Sequence, residues 1–169
     1  MLRPMASPAS TPGRWAQLFG IDLRSLALVR IGMAALLWID LAVRARDFRA
    51  HYTDFGILPT EALALHGWTT VFTLHAAASP SPLAVGGLFA LAAAAALALL
   101  LGFRTRLATF VSWLLLASLQ YRQPTLCFGG DVMLRMALFW GLFLPLGARF
   151  SLDARHHPAA APRRNPHLS

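Results

Sequence analysis

Apolar residues in this chain fall into long runs separated by short polar links. Four runs, at about 25–43, 83–101, 107–121 and 131–146, approach the roughly 20 residues that a helix needs to cross the hydrocarbon core of a bilayer. The pattern predicts an all-α fold, a polytopic membrane helical bundle with four transmembrane helices. A further apolar stretch, WTTVFTLHAAA at 68–78, is too short to span comfortably. It predicts one interfacial or re-entrant helix over about 63–78, with a fifth span as the alternative. Residues 1–13 are rich in Pro, Ser and Ala and read as a flexible leader; 154–169 read as a disordered basic tail. Between them, 14–153 form one transmembrane domain. The leader is no clean signal peptide, because the first apolar run starts only near Leu26 and holds an arginine and an aspartate. RWAQLFG at 14–20 puts Trp15, Leu18 and Phe19 on one side of a short helix, as an interfacial anchor would.

Ionisable residues inside these runs carry the candidate chemistry, since a charge in a bilayer has to be paired or wet. Arg30 and Asp40 lie in the first run, broadly on one side, and both can face a bundle interior. The helical rise puts them roughly 15 Å apart, too far to pair with each other. Each needs another partner, or each snorkels to its own interface. Asp131 opens the fourth run after Gly129-Gly130, placed either as a helix N-cap or to pair with Arg135 one turn on. Gly86, Ala90, Ala94 and Ala98 recur every four residues. They mark a helix-packing face, or only an alanine-rich composition.

Composition sharpens this picture in three ways. The 169 residues suit one domain, 57% hydrophobic and 13% charged, with too little charge for a soluble domain of this size. All 15 basic residues are arginine, so no lysine exists to serve as a buried general base. The arginines cluster at the ends of apolar runs, which suits membrane orientation and not nucleic-acid binding. The single cysteine, Cys127, excludes an internal disulfide or a cysteine-based metal cluster. His156-His157 has no further ligand nearby, so no metal site is expected.

Counting arginines sets the orientation. With four spans, the termini and the 102–106 turn share a side that holds nine of the arginines: Arg3, Arg14, Arg24, Arg104, Arg106, Arg149, Arg155, Arg163 and Arg164. Both termini are therefore expected in the cytoplasm. The loop with His51, Asp54 and Glu61 then meets the link 122–131 at one non-cytoplasmic mouth.

Those two segments also carry a resemblance. HYTDFGILP at 51–59, FGGD at 128–131 and FLPLGARFSLD at 143–153 are similar, in order and spacing, to motifs of the HTTM family. This is the horizontally transferred transmembrane domain family of the vitamin K-dependent gamma-carboxylase and its bacterial relatives. The resemblance covers most of 20–153 and implies a helical bundle in a bacterial plasma membrane, with polar residues near the outer face. In the carboxylase it also implies a reduced quinone, oxygen, carbon dioxide and a lysine base. This chain departs from that pattern: it has no lysine, and Arg122 stands in the corresponding link. It also stops after the fourth span. A DoxX-like membrane subunit would share the profile but not the HYTDFGILP loop.

The expected function is a non-catalytic membrane module that binds a lipid-soluble ligand or a membrane partner at its outer face. Its candidate ligand-binding residues are Arg122, Asp131, His51, Asp54 and Arg135; a quinone is the cofactor suggested by resemblance. His51 is the one plausible neutral-pH base at the mouth, and an interfacial histidine that merely packs is the plainer reading. Two alternatives stand beside this. One is a quinone-linked carboxylase or oxidoreductase, alone or as half of a split enzyme. The other is a small transporter or immunity component, suggested by Arg30, Asp40 and Arg135.

Overall fold

The computed structural model describes residues 23–65, 73–148 and 150–153, and every regular element among them is helical. The order is α1 (Leu23–Arg46), α2 (Phe48–Tyr52), α3 (Thr60–Leu65), α4 (Leu74–Ala78), α5 (Pro82–Leu101), α6 (Thr105–Arg122), a 3₁₀ turn (Pro124–Leu126) and α7 (Gly129–Gly141). The leader, the anchor at 14–20, the tail and residues 66–72 of the expected interfacial helix lie outside the described residues. Of that interfacial segment, the structure describes parts of two short helices, α3 and α4.

The four longer helices form a ring in which α5 packs on α1 and α6, and α7 packs on α6 and α1. In α1 the buried stripe is Leu26, Arg30, Met33, Leu37, Leu41 and Arg44, a three-to-four residue spacing that keeps one helix face on the core. Two apolar clusters fill the ring. One gathers Leu26, Met33, Leu37, Leu99, Leu116 and Leu138. The other gathers Leu41, Tyr52, Phe89, Leu115 and Leu119. In α5 the packed positions are Val85, Phe89, Ala92, Ala96 and Leu99. The small-residue face expected at Gly86, Ala90, Ala94 and Ala98 is not the packed one: Ala90 and Ala94 are exposed. The larger side chains at the neighbouring register bury more apolar area, and they win the core.

The helices are apolar outside as well as inside. Leu28, Leu36, Ile39 and Val43 of α1, Leu83 and Leu91 of α5, and Met133 and Trp140 of α7 are all exposed. Two helices, α1 and α5, are long and apolar enough to cross a membrane. The 18 residues of α6 extend about 27 Å, and the 13 of α7 about 20 Å. The last helix thus stops five residues before the end of its apolar run. Pro145 accounts for that: its ring would collide with the Gly141 carbonyl in a continuing helix. The chain instead tightens into turns, with Leu142, Phe143 and Leu144 each bonding three residues back.

Each join is held by a specific device. Ser81 accepts a hydrogen bond from Ala84 at the start of α5, and Pro82 opens the helix. Gly102 ends it in the left-handed conformation (φ 70°), a backbone that glycine adopts without strain. The first turn of α6 is capped from far along the chain. The Asp153 carboxylate accepts from Arg104 N (2.8 Å), Thr105 N (2.8 Å) and Thr105 Oγ1 (2.7 Å). Asp153 N donates to Gly102 O at 3.1 Å, so the segment after Gly147 is sewn onto the α5–α6 turn.

Burial alone would raise the Asp153 pKa, but the donors from Thr105 and Arg104, with Arg30 nearby, hold it below the usual carboxylate range. A carboxyl whose folded pKa is depressed stabilises the fold above its unfolded value of 3.8 and loses that contribution as pH falls through the folded value. Asp153→Ala should therefore cost about 1 kcal/mol, in the range of a lost helix cap. In detergent the variant should melt below the parent at pH 7, with the gap closing as the pH falls well below 4. Equal melting temperatures at pH 7 would show that the cap contributes nothing.

Candidate functional site

Two arginines organise the end of the bundle where α1 finishes and α7 begins. Arg44 lies in the last turn of α1, on the core-facing stripe, and is buried. A guanidinium offers five donors in a fixed fork and needs acceptors around it when water is removed. Its Nε donates to Asp40 Oδ1 at 2.7 Å, one turn earlier on the same helix. Nη2 donates to Asp131 Oδ1 at 2.7 Å, and Nη1 to the Tyr52 hydroxyl at 2.9 Å. Arg44 therefore ties α1, α2 and α7 together.

Asp131 serves two partners at once. Its other oxygen, Oδ2, accepts from Phe128 N at 3.0 Å, which closes the first turn of α7. The helix begins at Gly129, so Asp131 is the third residue of the helix and not its cap. The expected pair with Arg135 is absent. Asp131 is taken by Arg44, while Arg135 lies over the Tyr121 ring, its Cζ 5.2 Å from the centroid. Stacking on an aromatic face leaves a half-buried cation partly solvated, which suits its outward position.

Arg122 is the last residue of α6 and is 1% exposed. Its Nε donates to Ser79 Oγ (2.6 Å), and its Nη2 to Leu58 O (2.9 Å) and Asp54 Oδ1 (3.3 Å). The 51–61 loop and the 122–131 link do meet, and this guanidinium joins them. Asp54 is shared as well. Its Oδ1 accepts from Thr60 N (3.0 Å) and Thr60 Oγ1 (2.6 Å), so it also opens α3.

His75 stands beside this second network, fully buried in α4. Its Nδ1 lies 2.9 Å from Ser118 Oγ, and its ring meets Phe89 edge-on at 6.0 Å between centroids. Burial, with Arg122 close by, pushes its pKa down to about 4, so the ring is neutral at physiological pH. Ser79 links the pieces, because its hydroxyl bonds the carbonyls of His75 (2.8 Å) and Tyr52 (3.3 Å) while accepting from Arg122.

His51 is half-buried, and its Nδ1 is enclosed without a hydrogen-bond partner. Nothing among the described residues orients it as a base. Asp40 meets Arg44, and its second oxygen, Oδ2, has no partner. Arg30 lies at the opposite end, buried, with Nη2 donating to Phe150 O at 2.5 Å. Arg30 and Asp40 thus find separate partners, as their spacing requires. Among the described residues no three of His, Cys, Asp or Glu gather as metal ligands.

Charge divides sharply between the two ends. Near Arg44 and Arg122, five arginines (Arg44, Arg46, Arg49, Arg122 and Arg135) stand against five carboxylates (Asp40, Asp47, Asp54, Glu61 and Asp131). At the other end, four arginines (Arg24, Arg30, Arg104 and Arg106) face one, Asp153. The first end balances to zero; the second carries 4 − 1 = +3 among the described residues.

Sequence reasoning passed over Arg44 and His75. Arg44 had two readable signals, the Asp40-to-Arg44 spacing of one helical turn and its place three residues after Leu41 on the core stripe. His75 had none, because Ser118 and Arg122 reach it only through the fold.

Arg44→Gln should be the most damaging single change at this end. It strands two carboxylates, one 17% and the other 4% exposed at the side chain. Removing one partner of a buried ion pair costs on the order of 3–5 kcal/mol. Asp131→Asn keeps an oxygen for Arg44 and should cost less. Thermal melting of both variants in the same detergent decides the order, and a stable Arg44→Gln protein would refute the hub role.

The chain matches no family model, no curated protein and no solved structure.

Proposed function

We propose that this chain is a polytopic membrane module, similar to the HTTM domain, that binds a lipid-soluble ligand by its polar headgroup at the Arg44–Arg122 mouth. The observation that carries this reading is the pairing of two buried arginine networks at one end with apolar residues exposed along every long helix. Soluble proteins rarely leave such apolar surface uncovered, and a bilayer covers it. The helices α1 and α5 have the length to cross. The shorter α6 and α7 complete their crossings with the turns that flank them, 124–128 and 142–146.

The three segments that resemble HTTM motifs each have structural work here. Asp54 bonds Arg122, Asp131 bonds Arg44, and Asp153 caps α6. The mouth offers both donors and acceptors, and several are unsatisfied: Arg122 Nη1, His75 Nε2, Asp40 Oδ2 and Gln123 Oε1 are buried without partners. These enclosed groups leave hydrogen-bonding capacity behind the mouth, and a quinone is the headgroup that the resemblance suggests for it. The cavity between Leu37, Leu115 and Ser112, about 10 Å3, admits one water and no ring, so the headgroup is met at the mouth. Arg122 is locked by three acceptor groups and keeps its proton, so a carboxylase-type base is not assigned to it. The module is read as non-catalytic. The +3 end lies in the cytoplasm by the arginine rule, which puts the mouth and both termini on opposite sides of a bacterial plasma membrane.

Purification in mild detergent, with mass spectrometry of the protein and lipid fractions, tests the binding role. A lipid-soluble ligand is expected with the parent and is expected to be lost with Arg122→Gln. A stoichiometric partner chain instead would make the mouth a protein-docking site, and retention of neither would end the reading. Cys127 tests the orientation. Burial and then the Asp131 carboxylate hold its thiol pKa above the ordinary 9.0. A membrane-impermeant maleimide should label it in intact cells, slowly, at a rate still rising above pH 9. Labelling only after lysis would invert the topology.

A further inference from the structure

The +3 end has a surface that the headgroup-binding mouth does not use. It is built from the α5–α6 turn and the segment after Gly147. These are tied down by Asp153 on the α6 N-terminus, by Asp153 N to Gly102 O, and by Arg30 Nη2 to Phe150 O. Among the described residues, two side-chain-bearing residues have positive φ, Arg104 (42°) and Phe150 (49°), and both lie here. Each of those backbones is held against its preference, and each turns a large side chain outward. Arg104 is exposed, and Phe150 is 69% exposed. Phe103 and Arg106 are exposed beside them.

The one carboxylate of this end among the described residues, Asp153, has both oxygens occupied by backbone and hydroxyl donors. Arg104 and Arg106 have no carboxylate partner among the described residues. The contrast with the opposite end is sharp, since Arg44 and Arg122 are paired there and the charge balances. Arg104 lies over the Phe103 ring, its Cζ 5.9 Å from the centroid. Exposed arginines set among exposed aromatic rings are the chemistry of a membrane interface, where rings sit at headgroup depth and guanidinium forks take phosphate oxygens.

We infer that Arg104 and Arg106, flanked by Phe103 and Phe150, form a docking surface for the phosphate headgroups of anionic phospholipids. The inference rests on the membrane reading and not on the mouth. Asp153 gives the surface its order: it satisfies the helix end that would otherwise compete for the same anion, which leaves the guanidinium groups to the lipid.

The protein reconstituted into nanodiscs of phosphatidylcholine and phosphatidylglycerol in equal parts should retain phosphatidylglycerol preferentially, as read by native mass spectrometry of the released complex. Each arginine at an anionic surface is worth about five-fold, so Arg104→Gln with Arg106→Gln should cut the enrichment roughly 25-fold. Added salt should reduce it in the parent. The matched control is Arg46→Gln with Arg49→Gln, which removes the same charge at the balanced end and should leave the enrichment intact. No enrichment in the parent, or an equal loss in the control, overturns the proposal while leaving the membrane reading standing. A chain that stays out of both nanodiscs and vesicles overturns both together.

Discussion

A guanidinium taken out of water keeps its charge and must find acceptors for its donors, and at Arg44 that requirement shapes a whole end of the fold. The acceptors come from three elements: Asp40 from α1 itself, Tyr52 from α2, and Asp131 from the start of α7. None can move far without stranding the others, because the low dielectric that strengthens each bond also penalises its loss. Asp131 passes the constraint on, since its second oxygen fixes the first turn of α7. The orientation of the last helix is thus set by a residue on the first.

Arg122 does the same for the loops. It draws the 54–60 loop and Ser79 onto the end of α6, and Ser79 in turn meets the carbonyls of Tyr52 and His75. Between this polar end and the Arg30 end lies an apolar core of leucine, methionine, alanine and phenylalanine. The bundle therefore has an apolar middle and two polar ends of different character. Among the described residues one is neutral and densely hydrogen-bonded; the other is positive.

Much of the helical skeleton could be read from the apolar runs, because a run of that length has few other ways to satisfy its backbone. The run at 83–101 corresponds to α5 at Pro82–Leu101, and the run at 107–121 to α6 at Thr105–Arg122. The first run understated α1, which continues to Arg46. A charged residue at the border of an apolar run reads as part of the polar link, although Arg44 belongs to the last turn of the helix. The fourth run overstated α7, although Pro145 stood in plain view as a helix breaker. The pair expected between Asp131 and Arg135 was reasonable by spacing, but local spacing says nothing of a stronger partner on another helix. Asp153 shows the same limit more strongly: nothing near it in the chain indicates that it caps a helix beginning 48 residues earlier.

That separation sets an order of events. A ribosome delivers Arg104 and Thr105 long before Asp153, so α6 leaves it with its first N–H groups lacking the carboxylate they bond in the finished fold. Only when residue 153 emerges can the stitch be made, and the same short segment also brings the Phe150 carbonyl that receives Arg30. A nascent chain released before residue 150 would hold all of its long helices and still lack the knot that fastens the first and third of them together.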